Sequence, residues 1–361
     1  MLKLKNKSTK LLITKVNKQN SLSIITSKKE WQAAILNAET YDFYHTYDYH
    51  ELSKLRGEKQ VLLKYTEGNK FIYLPLIIRK IENTEYYDAT SVYGYAGPLQ
   101  KNISSDFNNI HFLKALENYF KDHKIISVFS RLNPFIENQE TILGNIGDVV
   151  KMGNIVNIDL TKNLEEQRTI FSRTTKRYIN KANRSLEVKI SNSKEDILKF
   201  KELYHENMNR VNAQEKYYFD ENYLFKFIDS KEYETDVLYA IDNETQKIIS
   251  AAIMVKTNNI IQYHISGTKT SFLNLSPIRL LIDKTRIKGT YENYKYFNLG
   301  GGLGNNEDEL FRFKSSFSKD FKSFKVWKYI CNNRVYNELV EKMNIVETEN
   351  NFFPLYRYSN K

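Results

Sequence analysis

The stretch YFNLGGGLGNNEDELFRFKSSF, residues Tyr296 to Phe317, decides the reading of this chain. It opens as a short aromatic strand, Tyr296 to Leu299. It breaks at Gly300, Gly301 and Gly302, with a fourth glycine at Gly304. Glu307, Asp308 and Glu309 then open an amphipathic helix that carries Phe311, Phe313, Lys314 and Phe317. Glycines let backbone turn sharply and approach a ligand closely. Acidic residues suit the positive end of a helix. Lys314 stands among aromatics, so partial desolvation of its ammonium is expected, a setting in which lysine steadies developing negative charge. A plain strand-turn-helix connection with one surface lysine is the competing reading.

Working back toward the N-terminus, Ile260 to Ile265 reads as a strand. It ends at Ser266-Gly267 in a loop with Lys269, and Ser276 is then expected to cap a helix that starts at Pro277. A helix N-terminus offers free N–H groups to phosphate, and Lys269 and Arg279 add charge. His264, at the end of that strand, is a candidate base, with a core histidine as the alternative. Farther back, SRTTKRYINKANR at 172–184 puts Arg173, Lys176, Arg177, Lys181 and Arg184 on one helical face, opposite Phe171, Tyr178, Ile179 and Ala182. Such a face is either simply solvated or a grip for a diphosphate.

These segments, in this order, resemble the FemAB-like transferases, which are built from tandem GNAT-type acyltransferase domains. The carriers of the likeness are the strand and glycine turn with Asp308, Phe313-Lys314 and Phe317, and YHISGT (Tyr263 to Thr268) followed by Ser276-Pro277 and Leu280-Leu281. YGYAGPL (Tyr93 to Leu99) and SRLNP (Ser130 to Pro134) resemble a branch often met among envelope and surface-polysaccharide enzymes. The resemblance spans roughly residues 28 to 345. It implies an N-acyltransferase with acyl-CoA or aminoacyl-tRNA as donor co-substrate and a nucleotide- or lipid-linked envelope precursor as acceptor. It implies donor binding at Gly267, Lys269, Ser276 and Arg279, and acceptor binding at Arg173, Arg177, Tyr204, Arg210, Tyr217 and Tyr218. Chemistry is implied at Lys314, Phe313 and His264, beside the turn at Gly300, Gly301 and Gly302. The chain departs from the family near Ser53-Lys54, where peptidoglycan-bridge members often carry an acceptor-site lysine. It also lacks the long charged hairpin of some tRNA-using members.

Composition narrows the classes. The chain has 361 residues, 41% of them apolar, and a net charge of +11 from 54 basic and 43 acidic side chains. That length favours two domains, and the charge favours an anionic partner. A non-catalytic protein that binds nucleic acid or an acidic surface is the reading from a different class. There are 26 tyrosines, which suit polar clefts. Cys331 is the single cysteine and six histidines lie scattered, so no disulfide or zinc-type spacing arises and no metal is expected. The lysine-rich start, Lys3 to Lys18, reads as a weakly ordered lead to about residue 25, able to touch a membrane face. Its apolar run is too short for a signal peptide, no run approaches a membrane span, and a cytoplasmic location is expected.

The fold class is therefore α/β, with two GNAT-like domains at 1–150 and 151–361, mixed and mostly antiparallel sheets, and a duplication visible only in element order. Helices are expected at Lys28 to Asn37, Tyr47 to Leu55, Asn109 to Lys121, Glu165 to Arg184, Ser193 to Asn209 and Pro277 to Lys288. Strands are expected at Gln60 to Tyr65, Phe71 to Ile78, Ile125 to Phe129, Val156 to Leu160, Val237 to Ile241, Ile248 to Lys256 and Ile260 to Ile265. The segment Phe352 to Pro354 is expected to pack back onto the body.

Overall fold

The computed structural model describes residues 20–342 and 352–358. The lysine-rich lead, Lys3 to Lys18, lies outside them. The strands are β1 (Ser21–Ile25), β2 (Lys59–Glu67), β3 (Lys70–Lys80), β4 (Tyr87–Thr90), β5 (Leu99–Lys101), β6 (Ile125–Arg131) and β7 (Asp148–Asp159). They continue with β8 (Leu186–Ile190), β9 (Glu234–Asp242), β10 (Ile248–Thr257), β11 (Ile260–Thr268), β12 (Tyr296–Gly300) and β13 (Asp320–Ile330). All belong to one sheet in the order β1-β2-β3-β4-β6-β13-β7-β12-β11-β10-β9-β8, with β5 beside β3. Pairing is antiparallel except for β4 with β6 and β11 with β12.

The element order repeats. β1 is followed by helices Lys28–Asn37 and Tyr47–Ser53, then β2, β3 and β4, helix Ile110–Asp122, β6, helix Gln139–Leu143 and β7. β8 is followed by helices Lys194–Arg210 and Glu221–Ile228, then β9, β10 and β11, helix Pro277–Tyr291, β12, helix Glu309–Ser315 and β13. Each half has one parallel pair joined by a helix, and the two halves exchange their last strands. β7, from the first half, pairs with β12 of the second. β13, from the second, pairs with β6 of the first. β7 and β13 lie antiparallel to each other from Asp320 opposite Asn157 to Lys328 opposite Asp148. β7 thus crosses the expected boundary at 150–151.

Local chemistry explains most elements. Ser27 and Ser193 cap their helices, accepting from the backbone N–H of Glu30 and Asp196. The positive φ of Gly68 closes the β2–β3 hairpin. Three expectations are corrected. The helix expected over Glu165 to Arg184 is two, Leu164–Ile170 and Arg173–Ser185. Phe171 turns into the core against Phe317, and Ser172 starts a new helix by accepting from Thr175 N–H. A buried Phe is worth about 1.5–3 kcal/mol, so burial outweighs continuing the helix. Residues 21–25, expected in the weak lead, form β1, because β2 offers an edge to pair with. Ser276 has a left-handed backbone (φ 53°) and makes no cap hydrogen bond. Its hydroxyl accepts from Arg279 instead.

The segment around Phe353 does pack back. Phe353 meets Tyr336 and Phe129, Tyr356 hydrogen-bonds Ser127, and Arg357 pairs with buried Asp88. No helix of the described chain is long and apolar enough to cross a membrane.

Candidate active site

β11 and β12 run side by side only over Ile260–Gln262 and Tyr296–Asn298. Beyond that they part. β11 continues to Thr268 along β10, and β12 turns off at Gly300. A gap between parallel strands bares backbone and side chains at their C-terminal ends, where α/β proteins place ligands. Tyr263, His264, Ile265 and Ser266 are partly exposed along this opening.

Gly300 takes φ 79°, which a side chain would strain, and its N–H donates to Asn298 Oδ1 at 2.7 Å. The turn brings the Gly301 carbonyl to Lys314, whose Nζ donates to it at 2.7 Å. Lys314 is 8% exposed and has no ion pair among the described residues. Burial brings its pKa down to about 8, with nearby Asp308 opposing the fall. Asp308 caps the helix, accepting from Phe311 N–H, and also ties the loop by accepting from Leu303 N–H, both at 2.9 Å. The turn, the cap and Lys314 are one local unit.

Arg279 is the junction of the second group. Its guanidinium lies 4.7 Å from the ring of Phe313 and 5.1 Å from that of Tyr178. Its Nε is buried without a hydrogen-bond partner, and burial lowers its pKa against the influence of Tyr178. The expected donor helix, the Lys314 helix and the basic helix therefore meet at one arginine. Hydrogen bonds from Ser172 N–H to the Ser316 carbonyl and between the Thr175 and Ser316 hydroxyls fix the basic helix there. Arg173, Arg177, Lys181 and Arg184 are exposed along an open groove, without ion pairs among the described residues. Lys176 leaves that face to donate to the Thr169 carbonyl. Lys269 is partly exposed after β11. Gly267 packs so close to Leu203 that an added methyl would lie 2.3 Å from its carbonyl oxygen.

The other expected acceptor residues form a separate group. Tyr204 is buried and donates its hydroxyl to the Tyr217 carbonyl at 2.8 Å, and Tyr218 donates to Asn209. Arg210 donates to the Thr268 carbonyl and Thr270 hydroxyl, tying down the end of β11. No hydrogen bond, ion pair or ring contact joins these four to Arg173 or Arg177 among the described residues. His264 sits at the register slip between β10 and β11. Its ring stacks on Phe227 at 4.8 Å and meets Phe43 and Tyr49 edge-on. Its Nε2 is buried without a partner, and burial drops its pKa to about 4.

Sequence reasoning missed the polar chain beneath the turn. Asn298 donates to Gln262 Oε1 at 2.8 Å, and Gln262 donates to Asp42 Oδ2 at 2.6 Å. The same Asp42 oxygen accepts from Asn133 at 2.9 Å, and Oδ1 accepts from Phe43 N–H. All four side chains are buried. Burial pushes the Asp42 carboxyl up to about 7, against the pull of these donors. SRLNP contained Asn133, but nothing local marked Asp42.

No family model matches the chain, and no curated protein matches it. Solved structures do. FemX is similar with a TM-score of 0.69 at 12% identity, over 88% of this chain and 99% of that one. A conserved protein of unknown function from Bacteroides thetaiotaomicron matches at 0.56 and 13%, over 86% and 100%. The C-terminal domain of a candidate lysylphosphatidylglycerol synthetase from Agrobacterium fabrum matches at 0.53 and 14%, over 85% and 92%. What such distant likeness carries is architecture: the chain shares the fold of FemX.

Proposed function

We propose that this protein transfers an acyl or aminoacyl group to a primary amine, at the opening between β11 and β12. The observation that carries the reading is Lys314. Its buried ammonium points at the glycine turn and makes no ion pair among the described residues, Asp308 acting on it only from farther off. In the reaction the amine nitrogen attacks the carbonyl carbon of a thioester or ester. The carbonyl oxygen gains negative charge, the bond to sulfur or oxygen breaks, and the amine proton leaves with the departing group or through solvent. A cation already desolvated beside that oxygen favours the charged intermediate over the neutral ground state.

The donor co-substrate is an acyl-CoA or an aminoacyl-tRNA. Arg279 would meet its phosphates, and the exposed Arg173 and Arg177, on the helix that packs against the Lys314 helix, would meet those of the acceptor. The acceptor is a nucleotide- or lipid-linked precursor of envelope polysaccharide or peptidoglycan, and Tyr204, Tyr217 and Tyr218 would face it. Calorimetric titration with acetyl-CoA, and separately with a charged tRNA, tests the donor. Saturable binding of one of them, weakened by Arg279→Met, supports the reading and selects the donor. Binding of neither overturns it in favour of a non-catalytic anion-binding role for the basic helix.

A further inference from the structure

The first half has its own version of the parallel pair that opens at the candidate site. There β4 and β6 run together to Thr90 and Phe129, and the last residue of β6 is Arg131. Its counterpart at the end of β12 is Gly300. A cation with a long side chain thus stands where the second half has a bare turn. The guanidinium carbon lies 5.0 Å from the Phe129 ring and 5.2 Å from the Tyr93 ring. Rings hold its position, while its N–H edge makes no hydrogen bond and no ion pair among the described residues. The carboxylate on neighbouring β4, Asp88, is already paired with Arg79 and Arg357. The groups facing Arg131 are the phenols of Tyr93, Tyr217 and Tyr49, and another cation, Arg79. Desolvation lowers its pKa, as expected of a charge held out of water without a counter-ion.

The surroundings are built and reach across both halves. Arg131 N–H donates to Ser91 Oγ at 3.0 Å, and Tyr49 donates its hydroxyl to the Tyr93 carbonyl at 2.9 Å. The Tyr93 ring meets that of Tyr217 at 6.2 Å, and Tyr217 accepts at its carbonyl from Tyr204. Tyr93 is 64% exposed, so the pocket opens to solvent. A partly buried guanidinium without a counter-charge costs stability, and a ligand oxyanion bound edge-on removes that cost. Guanidinium edges match planar, two-oxygen groups. Among the described residues Arg131 is the one desolvated cation beside these phenols, since Lys216 over the Tyr217 ring is exposed to water, and a single such cation fits a singly charged group.

We propose that Arg131, with Tyr93 and Tyr217, is a binding site for a carboxylate carried by the acceptor molecule. Assignment to the acceptor rests on the acyl-transfer reading; the carboxylate site does not, since it is read without any donor.

The test uses the full chain with 15N-labelled arginine, the Arg131 side-chain signal being assigned by its loss in Arg131→Lys. Glucuronate, glucose 6-phosphate and glucose are the probes. A saturating shift of the Arg131 signal with glucuronate, at least tenfold weaker binding to Arg131→Lys by calorimetric titration, and no saturation with glucose are expected. Equal or tighter binding of glucose 6-phosphate would overturn the carboxylate assignment in favour of phosphate. An Arg131 signal unmoved by both anions would remove the site. Thermal unfolding of Arg131→Lys, expected to match the wild type, checks that folding is not the cause. Unweakened glucuronate binding to the folded Arg131→Lys chain would overturn Arg131 as the anchoring group.

Discussion

Gln262 of β11 donates to the carboxylate of Asp42 at 2.6 Å, and both side chains are buried. This contact joins the first half of the chain to the strand that opens the candidate site. Asn298 extends it to the glycine turn. The hydrogen bonds that the Asp42 carboxylate accepts come from Phe43 N–H, Asn133 and Gln262, so an amide in its place would set N–H against N–H.

Asp42→Asn is expected to destabilise the protein by about 1–3 kcal/mol, the range for a buried polar group left unsatisfied. The pH dependence is a second readout. A carboxyl raised to about 7 by burial binds its proton more tightly folded than unfolded. Stability from this group is therefore highest below about pH 4 and falls as pH rises to about 7. Urea unfolding at pH 5 and pH 8 should show that fall in the wild type and a smaller one in Asp42→Asn.

Lys314→Met should lower kcat by about 10²–10³, as for loss of one oxyanion donor. It should leave the melting temperature unchanged or higher, because an unpaired buried charge is removed. In the wild type the rate should decline above about pH 8 as the ammonium loses its proton. Near-normal turnover by the folded variant would take Lys314 out of the chemistry.

His264→Phe separates two roles. The ring stacks on Phe227 within an aromatic cluster, and a conjugate acid near 4 makes a weak base. Less than tenfold loss of kcat/KM is expected, with folding intact by circular dichroism. A loss of 10² or more would assign the base to His264.

Arg173→Glu with Arg177→Glu should leave stability within about 0.5 kcal/mol, since both side chains are exposed and make no ion pair among the described residues. Affinity for the acceptor should fall, and its dependence on salt should flatten. Fluorescence titrations at several salt concentrations give both numbers.

Much of the fold was legible because it is locally encoded. Ser27, Ser193 and Asp308 announce their helices, and Gly68 announces its hairpin. The repeat could be seen in the order of elements, and Lys314 beside Gly301 in a single contiguous stretch. β8 and β13 left little trace, being short or of mixed polarity, and their pairing is set by partners far along the chain. Asp42 was invisible for the same reason. Its meaning comes from Asn133 and Gln262, 91 and 220 residues away. Arg279 carried a local signal, but the stacking that joins it to Tyr178 and Phe313 exists only once three helices have packed.

The exchanged strands bear on how the protein is made. β13 is the last strand in chain order, yet it lies in the middle of the sheet, between β6 and β7. During synthesis the first half emerges complete in sequence but with β6 still missing a neighbour. An unpaired edge of that kind invites wrong partners. The ribosome must deliver Asp320 to Ile330 before either half can close, so a stalled or truncated nascent chain strands both units rather than one.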